Sequence, residues 1–117
     1  MPIRRLQQEA RLSGAVVHGQ TVYLAGQVAD DTSLDAEGQT ADILAQIDAL
    51  LAEAGTDKSR LLSVQIFLAD MADFAAMNRA WDAWFDRANP PARATVQALL
   101  AGPAWKVEIT GIAALPA

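Results

Sequence analysis

The sequence predicts an α+β domain: a mixed β-sheet with two helices packed on one face. Three observations predict it. Apolar residues step by three and four from Ile43 to Ala54, as along one face of a helix. They alternate with other residues over 92–99 and again over 105–114, as along one face of a strand. Finally, two helical segments cover only one face of a sheet, so apolar side chains on the other face point to an oligomer.

Taken in order, residues 2–13 carry no strong period, although Ile3, Leu6 and Leu12 allow a short edge strand. Ala15 to His18 and Thr21 to Val28 read as two extended pieces turning at Gly19-Gln20, the second rich in β-branched and aromatic types. Asp30 to Gly38 is polar and acidic and reads as a loop. A helix is expected from Gln39, burying Ile43, Leu44, Ile47, Leu50, Leu51 and Ala54 and ending at Gly55. Leu62, Val64, Ile66 and Leu68 then alternate with Ser63, Gln65 and Phe67 in a strand. Asp70 or Asp73 caps a second helix with Phe74, Met77, Trp81, Trp84 and Phe85 on one side, stopped by Asn89 and the prolines.

Pro90-Pro91 cannot continue a helix, so the chain leaves extended from Ala92 or Arg93. Ala94, Val96 and Ala98 alternate with Arg93, Thr95, Gln97 and Leu99 until Gly102-Pro103 break the run. Trp105, Val107, Ile109, Gly111 and Ala113 give the last strand, expected to form an antiparallel hairpin with the preceding one. The expected order is ββαβαββ.

A chain of 117 residues, 52% hydrophobic and 20% charged, suits one globular domain spanning 1–117. It has no cysteine, which excludes disulfides, thiolate metal sites and a cysteine nucleophile. A net charge of −5 with scattered Lys and Arg disfavours a nucleic-acid surface, which needs clustered cations against phosphates. No apolar run approaches the ~20 residues of a membrane span, and no apolar export segment follows Arg4-Arg5, so a cytoplasmic protein is expected. His18, the one histidine, reads as a solvated loop residue, and no three- or four-ligand metal set follows from the spacing. Trp81 and Trp84 share the apolar stripe of the second helix and read as core.

Arg93 and Glu108 are the charges to explain. Ordinarily each is a wet or ion-paired surface residue. A hairpin about Gly102-Pro103 puts Glu108 opposite Val96 and Gln97, with Arg93 about four residues further on. At roughly 3.3 Å per residue that separates the two Cα atoms by about 13 Å, too far for one small substrate within one subunit. A site assembled between subunits reconciles the distance.

Pro91-Ala92-Arg93-Ala94-Thr95-Val96, with Lys106-Val107-Glu108-Ile109-Thr110-Gly111-Ile112-Ala113, resembles the C-terminal signature of the RidA/YjgF family. Agreement extends to Tyr23-Leu24-Ala25-Gly26-Gln27, to Gln39-Thr40 through Ala54-Gly55, and to Asp73 through Asn78 running on to Trp81, Trp84 and Phe85. The likeness is strongest to the YoaB-like branch and spans nearly the whole chain. It implies a homotrimer of chorismate-mutase-like fold with clefts between subunits. It implies Arg93 for a substrate carboxylate, Glu108 to orient or activate water, Thr95 backbone groups to complete the pocket, and Ala25-Gly26 beside the ligand.

The implied reaction is hydrolysis of a reactive enamine or imine, such as 2-aminoacrylate, to a 2-keto acid and ammonia. The resemblance implies no cofactor, because the imine carbon is already electrophilic. Two positions depart from the family: Gly14-Ala15-Val16-Val17 lacks the usual tyrosine, and Thr95 stands where many members have cysteine or serine. The alternatives are a regulatory trimer that binds carboxylates or keto acids without significant catalysis and, third, an endoribonuclease, which the acidic composition disfavours.

Overall fold

The computed structural model describes residues 1–117. Its first helix begins three residues before the expected start at Gln39. The Asp35 carboxylate accepts from the Gly38 N–H at 2.8 Å and so satisfies one of the donors that a helix start leaves open. Helix α1 therefore spans Ala36–Ala54, and Gly55 ends it at φ 95°, a left-handed conformation that glycine adopts without penalty. All six stripe residues are buried, joined by Gln39 and Thr40. Each large apolar side chain so buried contributes about 1.5–3 kcal/mol.

Six strands form one sheet: β1 (Ile3–Gln8), β2 (Ser13–His18), β3 (Thr21–Val28), β4 (Leu61–Leu68), β5 (Ala92–Gln97) and β6 (Val107–Ala114), in the order β1-β2-β3-β6-β4-β5. The expected order gains β1, which pairs antiparallel with β2 as an edge strand. β6 begins at Val107, two residues later than the alternation indicated, since Trp105 lies in the preceding loop. Leu62, expected on the apolar face of β4, is exposed because the pairing with β6 slips between Leu61 and Ser63.

The last two strands do not form a hairpin. After β4 the chain makes a short 3₁₀ turn (Met71–Asp73), capped by Asp70 onto the Ala72 N–H, and runs through helix α2 (Phe74–Trp84). It returns as β5, parallel to β4, a crossover connection of the βαβ kind. β6 then lies antiparallel on the other side of β4, paired with both β3 and β4. β5 and β6 keep the opposed directions expected of them, but β4 separates them. Residues 98–106 pass around the end of β4, held by Ala98 N–H to Leu68 O at 2.9 Å and Ala69 N–H to Lys106 O at 3.0 Å.

Helix α2 also stops earlier than expected, at Trp84 rather than at the prolines. Phe85 is extended (φ −68°, ψ 154°), and the Asp86 carboxylate then collects the Ala88 N–H and the Asn89 Nδ2, both at 3.0 Å. That turn delivers the chain to Pro90-Pro91.

Both helices lie on one face of the sheet, as expected. Their core gathers Val22 and Leu24 from β3, Val64, Ile66 and Leu68 from β4, and Val107 and Ile109 from β6. Trp81 belongs to this core and Trp84 packs against it. On the opposite face Tyr23 and Val96 are 47% and 48% exposed. β5 presents its sides in a way its alternation did not reveal. Arg93 and Thr95 pair with the core-facing Val64 and Ile66, whereas the apolar Ala94 and Val96 pair with Gln65 and Phe67 on the uncovered face.

Candidate functional site

The candidate residues fall into two groups on opposite faces. Arg93, on edge strand β5, points to the helix side, where its Cζ lies over the Trp81 ring, 5.2 Å from the centroid. It is partly buried, yet none of its N–H donors meets a protein acceptor and it forms no ion pair. Arg79 contrasts with it, donating from Nε to Glu37 Oε1 at 2.8 Å in the molecule's one ion pair. Two residues along from Arg93, the Thr95 hydroxyl oxygen is buried without a hydrogen-bond partner. A buried polar atom left unsatisfied marks a place where a further partner fits.

Glu108 lies on the uncovered face, in one row with Val28, Phe67 and Val96. Its carboxylate covers Gly26. A β-carbon on residue 26 would overlap the carboxylate and come within 2.9 Å of the Glu108 Cδ. Gly26 sits where the β3–β6 register shifts between Leu24 and Gln27. This bulge is braced by Gln27 Nε2 donating to Ala25 O at 3.1 Å and by the Thr110 hydroxyl donating to Leu24 O at 2.6 Å. Such bulges re-aim side chains at the edge of a regular ladder. Gly26 is expected beside the ligand, and in the structure the space its missing side chain frees holds the Glu108 carboxylate. Ala25 belongs to the same bulge, so Ala25, Gly26 and Glu108 are brought together, while Arg93 and Thr95 form the other group.

The hairpin register that gave about 13 Å between Arg93 and Glu108 is replaced by a different geometry. On β4 the partner of Arg93 is Val64 and that of Glu108 is Phe67, three residues apart. Two strand spacings of about 4.8 Å and three residues of about 3.3 Å again give roughly 14 Å. The odd offset also turns the two side chains to opposite faces.

The start of β6 is fixed by a buried amide outside the expected apolar stripe. Gln39, fully buried in the first turn of α1, donates from Nε2 to Leu34 O and Ala104 O, both at 3.1 Å, and accepts the Lys106 N–H at 2.9 Å. A buried amide on an otherwise apolar stripe was the available signal. Trp81 was likewise read only as core, because its place beneath Arg93 depends on the parallel pairing of β4 and β5.

The carboxylates held below their usual range lie outside both groups. Asp31 and Asp57 are lowered chiefly by the hydroxyls of Ser33 and Ser59, and Asp86 chiefly by the Asn89 amide. A concavity of about 300 Å³ on the uncovered face is lined by Tyr23, Ser63, Gln65, Thr110 and Ile112, beside the row that holds Glu108. A larger one, about 530 Å³, lies between the helices against Leu44, Arg79 and Trp84 and includes no candidate residue.

Residues 2–115 match the family described as Endoribonuclease L-PSP. The chain is 52% identical to a RutC family protein of Haemophilus influenzae, covering 97% of this chain and 98% of that one. It is 51% identical to the RutC family protein YoaB of Escherichia coli, covering 98% and 100%. Among solved structures, a YjgF family member from Neisseria meningitidis superposes with a TM-score of 0.97 at 45% identity, covering 100% and 98%. A protein from Pseudomonas aeruginosa superposes at 0.95 and 43%, covering 98% and 100%. Fold and full-length similarity agree, and the chain belongs to this Endoribonuclease L-PSP family, whose relatives carry the names RutC and YjgF.

Proposed function

We propose that the protein hydrolyses small enamines or imines bearing a carboxylate, of the 2-aminoacrylate kind, to 2-keto acids and ammonia, in clefts between the copies of a homotrimer. The observation that carries this reading is that Arg93 and Glu108, both without a protein hydrogen-bond partner, face opposite sides of one sheet. No ligand small enough for this chemistry reaches both within one chain. A cleft in which Arg93 of one copy meets Glu108 of the next satisfies both residues and covers the exposed Tyr23 and Val96.

In that cleft the Arg93 guanidinium forks onto the substrate carboxylate, a planar match that lysine lacks. Thr95 lies beside it with an unpartnered hydroxyl. Glu108 accepts a proton from the water whose oxygen attacks the imine carbon and returns it to nitrogen, giving the carbinolamine; the carbinolamine hydroxyl then gives its proton to Glu108, which passes it to nitrogen as the C–N bond breaks and ammonia leaves. Atoms balance as imine plus water giving keto acid plus ammonia, with no redox step.

The test is a coupled assay in which 2-aminoacrylate is generated in situ and keto-acid release is followed with and without the protein. Release at the uncatalysed rate, with keto-acid binding intact, supports the second reading: a carboxylate-binding regulatory trimer that needs Arg93 but not Glu108. The description of the family names an endoribonuclease. Against that activity here stands the net charge of −5, which opposes approach of a polyanion.

A further inference from the structure

We propose that Trp81 is the positioning residue for Arg93, holding the guanidinium on its indole face so that the N–H fork stays free for a small planar carboxylate. The inference rests on the reading of Arg93 as the carboxylate-binding group.

A guanidinium can be held in place in two ways. A carboxylate holds it by its edge, as Glu37 holds Arg79 through Nε, and every donor so used is lost to a ligand. An aromatic ring holds it by its face and uses no N–H donor, leaving all five in the guanidinium plane. Arg93 has only the second kind of support, at 5.2 Å from the Trp81 ring centroid.

Trp81 is itself fixed. It is 5% exposed, and the Phe85 ring stacks on it at 5.8 Å and 13°, with the Trp84 ring tilted against it at 5.6 Å. Trp84 is tied in turn to α1 by Nε1 donating to the Asp48 carboxylate at 2.8 Å. This aromatic group links the helical layer to an arginine on an edge strand, where nothing else restrains its side chain.

The experiment measures pyruvate binding by calorimetry for the parent, Trp81→Phe, Trp81→Leu, Arg93→Met and the double variant Trp81→Leu/Arg93→Met. NMR of the Arg93 Nε–H in the first three reports the ring current acting on it. Trp81→Leu is expected to weaken pyruvate binding about 2- to 30-fold, Trp81→Phe by less, and Trp81→Leu to do nothing further once Arg93 is Met. The Arg93 Nε–H resonance is expected to lose its ring-current shift in Trp81→Leu and to keep most of it in Trp81→Phe. If Trp81→Leu does not fold, Trp81→Phe carries the test through both readouts. Unchanged pyruvate affinity in the Trp81 variants, or a loss that persists in full without Arg93, overturns the inference and leaves Trp81 as packing. Unchanged affinity in Arg93→Met instead overturns the carboxylate reading of Arg93, and the inference falls with it. Failure of the parent to bind pyruvate has the same consequence.

Discussion

Arg93 and Glu108 point to opposite faces of the same sheet, at β4 positions three residues apart. If they serve one ligand, the ligand lies between copies. Sedimentation equilibrium is therefore expected to give about three times the 12.4 kDa chain mass at micromolar concentration. A stable monomer there sinks the shared cleft.

Arg93→Lys keeps the charge and loses the fork. Affinity for pyruvate-like carboxylates is expected to fall by about 1.5–3 kcal/mol, the range for a lost hydrogen bond to a charged group. Calorimetry that finds the parent affinity in this variant makes Arg93 an ordinary surface cation.

Glu108→Gln preserves shape and removes the base. The trimer and keto-acid binding are expected to survive, while acceleration of imine hydrolysis drops by about 10²- to 10⁴-fold. A rate equal to the parent's in the coupled assay, with normal binding, would move the protein to the binding-only reading.

Gly26→Ala tests how the carboxylate is seated. The added methyl meets the far end of a flexible side chain, so Glu108 swings aside at little cost in stability. Hydrolysis is expected to fall as in Glu108→Gln, with the urea midpoint nearly unchanged; full activity would show that the seat over Gly26 is dispensable.

Gln39→Leu removes an amide that joins α1 to the loop before β6 and strands the Lys106 N–H and the Ala104 carbonyl. These hydrogen bonds are only partly buried, and each contributes about 0.5–1.5 kcal/mol. Urea unfolding is expected to show a loss of about 1–3 kcal/mol, and an unchanged midpoint would mean that water replaces the amide freely.

Much of the fold was legible because periodicity reports which residues share a face. The stripe from Ile43 to Ala54 and the alternation of Val107, Ile109, Gly111 and Ala113 match the buried positions one for one. Periodicity does not report which strand is the neighbour. Gly102-Pro103 marks a turn but not what the turn passes around, so β5 and β6 were paired directly although β4 lies between them. Nor does alternation say which face is covered: on β5 the apolar Ala94 and Val96 face away from the helices. Capping set helix limits that the stripe could not, through Asp35 at the start of α1 and the Asp86 turn after α2. At the site, Arg93, Thr95, Gly26 and Glu108 were named from resemblance, whereas the roles of Gln39 and Trp81 depend on contacts between distant segments.

The central place of β6 has a consequence for how the molecule assembles. β1, β2 and β3 pair among themselves, and β4 pairs with β5, but only the final strand joins the two sets. Until Val107–Ala114 is in place, β3 and β4 each have an open edge. Such non-local closure is slow, and the waiting edges invite pairing with other chains. Glu108 sits on that closing strand, so the pairing that joins the halves also brings the Glu108 carboxylate over Gly26.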